Sequence, residues 1–121
     1  MADIGIYTKN ADILARCGAN CSATAKATAA TDVYVLDVEA YINAITRYNW
    51  SDAFAGLNAA VAGILTEAGA CLCGIYVIQW DMSGFTTTAE AENMINILRE
   101  RSRIAIEALR DLKIQDFITG A

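Results

Sequence analysis

The sequence contains no histidine and no proline. Without an imidazole, Ser-His-Asp and Cys-His activation of a nucleophile are excluded, and the commonest metal ligand is missing. Without proline, no helix is forced to break. Aromatic residues make up 8% of the chain against 55% hydrophobic residues, many of them alanine. That balance favours thin, closely packed helices over a sheet held by aromatic and β-branched cross-strand pairs. A Gly-rich loop of the Walker or Rossmann type is also missing, so nothing supports a nucleotide site. The start, Met1-Ala2-Asp3-Ile4-Gly5, lacks the positive charge and apolar core of a secretory signal, which predicts an intracellular origin and reduced cysteines.

Basic residues are missing from a long stretch too. None occurs between Arg47 and Arg99, whereas Arg99, Arg101, Arg103, Arg110 and Lys113 crowd together near the C-terminus. The net charge of -5 argues against the basic footprint of a protein that grips nucleic acid by its phosphates. An anion or acidic partner would be met at the arginine run. Arg99, Arg103 and Arg110 fall near one helical face, and Arg101 lies on another, where it can pair elsewhere. Arg103 and Glu107 are spaced to pair along a helix. A solvated charged face is the plainer reading of the same run.

What is present is helical periodicity, and the 121 residues fit one domain. Thr8 to Cys17 reads as a short helix with Asn10 as cap, Ile13 and Leu14 as its apolar side and Gly18 as its stop. Ala19 to Ala30 reads as loop, so the order of the N-terminal segment 1–31 is left open. Val38, Tyr41, Ile42, Ile45 and Tyr48 mark a helix within Asp32 to Asn49, starting at Asp32 or at Asp37 (about 37–49). Val33 to Leu36 could equally be a short strand.

From a cap at Ser51 or Asp52, apolar residues repeat at three- and four-residue steps to about Trp80, a rod of roughly 40 Å. Its length would suffice to cross a membrane. Glu67 and Asn58 inside it, and the lack of a basic flank, favour burial among helices or subunits with no membrane. Gly56, Gly63, Gly69 and Gly74 would let neighbouring subunits approach it closely. After the turn Asp81-Met82-Ser83-Gly84-Phe85, the capping box Thr87-Thr88-Ala89-Glu90 opens a second long helix. Met94, Ile95, Leu98, Ala105, Leu109 and Leu112 form its buried stripe.

The predicted fold is therefore an all-α bundle dominated by two long antiparallel helices, about 52–80 and 87–112. Residues 113–121 follow as an extended C-terminal arm. Ile114, Phe117 and Ile118 on that arm either close the core or, with Arg99, Arg103, Arg110 and Lys113, dock on a partner.

Cys17, Cys21, Cys71 and Cys73 could make a four-thiolate metal set. Residues two apart on a helix point about 200° away from each other, so Cys71 and Cys73 read instead as small buried hydrophobes, and no metal or cofactor is expected. Glu67, the single charge of its helix after Asp52, either reaches solvent or pairs with an arginine of a facing helix or subunit. A perturbed catalytic carboxylate is the sharper alternative.

The stretch Ala40-Tyr41-Ile42-Asn43-Ala44-Ile45-Thr46-Arg47-Tyr48-Asn49-Trp50-Ser51-Asp52, the apolar helix, Asp81 to Phe85, Ala89 to Asn96 and Leu109-Arg110-Asp111 together resemble the head-to-tail adaptor (connector) proteins of tailed bacteriophages. The resemblance covers about Asp32 to the C-terminus and departs from the family in the N-terminal third. It implies a virion structural protein, assembled in the host cytoplasm, that forms a ring, usually dodecameric, between the portal protein and a tail or stopper protein. DNA would pass through the ring without sequence-specific binding, and the C-terminal arm would hold a neighbour. A non-enzymatic helical scaffolding module that binds one protein partner is the alternative.

Overall fold

A computed structural model describes residues 5–17, 27–80 and 88–120. Their helices are α1 (Asn10–Cys17), α2 (Thr28–Thr46), α3 (Trp50–Ala53), α4 (Ala59–Trp80), α5 (Thr88–Arg110) and α6 (Leu112–Gly120), with a 3-10 turn at Phe54–Gly56 and no strand among the described residues. The predicted turn Asp81 to Phe85, the proposed cap Thr87 and Cys21 lie outside them.

The most apolar helix, α4, is the centre. Four consecutive residues, Ala68 to Cys71, are all buried, which requires cover on every side. α1, α2 and α5 provide it. The stretch Ala62–Gln79 is long and apolar enough to cross a membrane, yet 61% of it is buried inside this fold, as suits the core helix of a bundle. α5 lies against α4 along a seam of Ala91, Ile95, Leu98, Ser102, Ala105 and Leu109, which alternates four- and three-residue steps as a helix–helix contact stripe does. Ser102 is tolerated in that seam because its hydroxyl donates to the Arg99 carbonyl (2.8 Å). Glu67 of α4 meets Arg101 of α5, and the earlier Gly63 lies beside the later Ala105 and Ala108, so the two helices run in opposite directions.

Several boundaries differ from the sequence expectation, each for a local reason. α2 starts at Thr28 rather than Asp32 or Asp37, and the possible strand at Val33 to Leu36 is helix. It stops at Thr46 because Arg47 takes a left-handed backbone (φ 59°), with its N–H on the Ala44 carbonyl and the Tyr48 N–H on Asn43. That pair of bonds is a Schellman stop, normally built on glycine. Its buried face is Thr31, Val35, Val38, Ile42 and Thr46, leaving Tyr41 outside.

The expected rod 52–80 is two pieces. Asn49, not Ser51 or Asp52, caps α3: its side-chain oxygen accepts from the Asp52 N–H and its amide donates to the Asp52 carboxylate. The chain then extends at Leu57 (ψ 150°), and α4 restarts with the Ala62 N–H on the Asn58 carbonyl. At ~1.5 Å per residue, its 22 residues span about 33 Å. Asp111 likewise ends α5 and begins α6, its carboxylate accepting from the N–H groups of Lys113 and Ile114 (2.8 and 3.4 Å). The C-terminal arm is therefore helical rather than extended, and Leu112 belongs to its exposed side instead of the α5 stripe.

Both ends of the chain are fastened by buried polar side chains. Glu39, 6% exposed on α2, accepts from three successive backbone amides, Ile6, Tyr7 and Thr8, at 2.9–3.1 Å. Tyr7 is thereby set in the core against Phe54, its hydroxyl shared between the Glu39 carbonyl and the Asn43 side chain. Burial, then the charge of Glu39, pushes its phenol well above the ordinary tyrosine range. At the other end the buried Gln115 amide donates to the carbonyls of Thr46 (2.8 Å) and Leu109 (2.5 Å). One side chain thus satisfies carbonyls at the ends of both α2 and α5.

Candidate protein-interaction site

The arginine line of α5 forms one wall of a groove. Arg99, Arg103, Ile106 and Arg110 recur at four-, three- and four-residue steps, which places them on one face. Tyr41, Ala44, Ile45 and Arg47 from the end of α2 form the facing wall, with Leu72 of α4 between them. The groove is open to solvent and has a volume of about 580 Å³. Arg103 is held by Glu100 and by Glu107 (2.7 Å to the latter). Arg99 donates to the Asn96 side chain at 3.1 Å. The side chains of Arg47 and Arg110 bond to no described residue.

Arg101 points to the other side of α5, as its position demands, and closes a bridge between three helices. Its Nε and Nη2 donate to the two Glu67 oxygens at 2.8 Å. Arg16 of α1 donates from Nε to the same carboxylate at 3.0 Å and from Nη1 to the Asp12 carbonyl. Burial alone would raise the Glu67 carboxyl, but the hydrogen bonds and charges of Arg101 and Arg16 outweigh it and hold the group below the ordinary carboxylate range. Glu67 is therefore a structural anion paired within the chain. Beside it, Gly63, Ile64, Ile104, Ala105 and Ala108 line a shallow apolar groove.

The predicted partner residues divide between two places. Arg99, Arg103 and Arg110 come together in the cationic groove. Lys113, Ile114, Phe117 and Ile118 lie on α6, where Ile118 is buried in the core while Lys113, Ile114 and Phe117 face outward. The four glycines divide as well. A Cβ at Gly69 would collide with the Thr8 hydroxyl, and one at Gly74 would press on Leu98 and reach Cys17. Those two glycines admit the chain's own N-terminal segment, α1 and α5, so they are not open to a neighbouring subunit. Gly56 and Gly63 face open space.

Cys17, Cys71 and Cys73 are buried free thiols. Burial, followed by the charge of Glu67, pushes Cys71 up to about 11, and burial with the charge of Glu39 raises Cys73 further. Neither is a ready nucleophile, and no cluster of metal ligands occurs among the described residues.

Sequence reasoning missed Arg47 and Tyr41 as groove residues, because nothing in the linear order links the end of α2 to the middle of α5. No family model matches the chain, and neither the curated proteins nor the solved structures contain a match.

Proposed function

We propose that the chain is a structural assembly subunit with no chemistry of its own, and specifically a virion head-to-tail adaptor that forms a ring between portal and tail or stopper. The observation that carries the assembly reading is the apolar surface left after the core is complete. Val33, Leu36 and Tyr41 on α2, Ile97 and Ile104 on α5, and Leu112 and Phe117 on α6 are all 54% or more exposed. Side chains of this kind on three separate helices suit a subunit that neighbours cover on more than one face, as the two unlike contacts of a ring require. The adaptor reading adds the family resemblance of residues 32 onward. The net charge of -5 supports a role in conducting DNA without holding it.

The test is mass in solution, for the full chain alone and mixed with a portal complex. A ring, or a monomer that becomes a ring on the portal, is the expected result. A stable dimer that joins nothing larger overturns the reading. Replacing Leu112 and Phe117 by serine leaves Gln115 and Ile118 in place, so the variant should keep its melting temperature and fail to attach. Attachment equal to that of the parent chain removes α6 as the docking arm.

A further inference from the structure

We propose that the groove between α2 and α5 is the docking site of an acidic amphipathic helix from a protein partner. Arg99, Arg103, Ile106 and Arg110 form a straight line about 17 Å long at ~1.5 Å per residue. Arg47 stands across from it, Leu72 lies between, and Ile45 and Ile106 add apolar side chains from the two walls. An apolar strip under a cationic rim matches a helix that carries apolar side chains along one stripe with carboxylates beside them.

Charge complementarity names the occupant. In a chain of net charge -5, Arg47 and Arg110 have no acid or hydrogen-bond partner among the described residues, and Arg99 has only a neutral amide. Three guanidiniums are thus available for carboxylates, each able to take one bidentately. A nucleic acid fits less well, because Glu100 and Glu107 interrupt the line at Arg103 where a phosphate backbone would need unbroken positive charge. A small anion would make no use of the apolar strip. This inference rests on the groove alone and stands apart from the adaptor reading.

Fluorescence anisotropy with the full chain tests it. The probes are a labelled helical peptide with leucines on one stripe and glutamates flanking them, the same peptide with lysine for glutamate, and a single-stranded oligonucleotide of equal negative charge. The glutamate peptide should bind at least about tenfold tighter than either control, and weaken several-fold as salt is raised. The double variant Arg47→Gly with Arg110→Ser should lose about tenfold in that affinity. Glycine suits the left-handed position of Arg47, so the charge is removed without threatening the fold. Lys113→Ser, outside the groove, should leave binding unchanged.

Equal binding of the lysine peptide, equal or tighter binding of the oligonucleotide, unchanged binding by the folded double variant, or no binding of the glutamate peptide overturns the proposal. Ring formation is read separately as mass, so the two proposals fail independently.

Discussion

The two ends of this chain are fastened by opposite chemistry. At the N-terminal end a buried carboxylate, Glu39, gathers backbone donors. At the C-terminal end a buried amide, Gln115, gathers backbone acceptors. In each case the body of the fold leaves backbone groups that water cannot reach, and a single side chain supplies what they lack. The difference lies in what else holds each end. The N-terminal segment also buries Tyr7, Thr8, Ile13 and Cys17, whereas among the described side chains α6 buries only Gln115 and Ile118. One end is part of the core, and the other is a helix seated on its rim.

The largest expected effect would break the first fastening. Glu39→Leu leaves three amides facing an apolar side chain, and at about 1–3 kcal/mol for each buried group left unsatisfied it should cost at least about 3 kcal/mol. Urea denaturation would show this; a loss below about 1 kcal/mol would mean that those amides find other partners. Gln115→Leu should cost less, about 2 kcal/mol, because two carbonyls are orphaned while the core stays intact. Hydrogen exchange would locate the loss: protection should fall across α6 and the end of α2 and persist in α4. Uniform loss everywhere would make α6 as integral as the N-terminal segment.

Smaller effects sharpen the comparison. Glu67 ties α1 to α5 through α4 and is absent from the α6 end. Its carboxyl is held below its usual range, so its contribution is fully present above the unfolded-state pKa, near 4.3, and is lost as pH falls through the lower folded value. Glu67→Gln should therefore cost about 1 kcal/mol at pH 7, and the deficit relative to the parent should shrink at acid pH. A deficit that does not change with pH would assign the loss to packing. The smallest effect concerns Thr8, whose hydroxyl is buried without a partner among the described residues against Gly69. Thr8→Val keeps the shape and removes the orphaned group, so a gain of up to about 1 kcal/mol is expected by calorimetry. Destabilisation would show that the hydroxyl has a partner after all.

Much of the fold was legible because it is written in periodicity. α4 is apolar on all sides and α5 on one, and those patterns distinguish a central helix from a covering one. The restart at Asp111 was legible in principle, since aspartate is a strong cap. The short apolar run beyond it, Ile114, Phe117 and Ile118 at the end of the chain, reads equally well as a tail, which masks that signal. The stop at Arg47 was not legible, since its motif normally announces itself with glycine. The candidate site was half legible: α5 carries its arginines in one line, but Arg47 and Tyr41 join them only through packing.

The sequence by itself determined the class of fold, the central place of the apolar helix and the exclusion of imidazole chemistry. Each follows from composition and from spacing within one element. Tertiary structure decided the partners. It gave Glu39 the N-terminal amides, Glu67 its two arginines, Gln115 the ends of two helices, and Gly69 and Gly74 neighbours within the chain. Such pairings depend on which distant groups are left unsatisfied or uncovered once the helices pack, and that is a property of the assembled core rather than of any stretch of sequence.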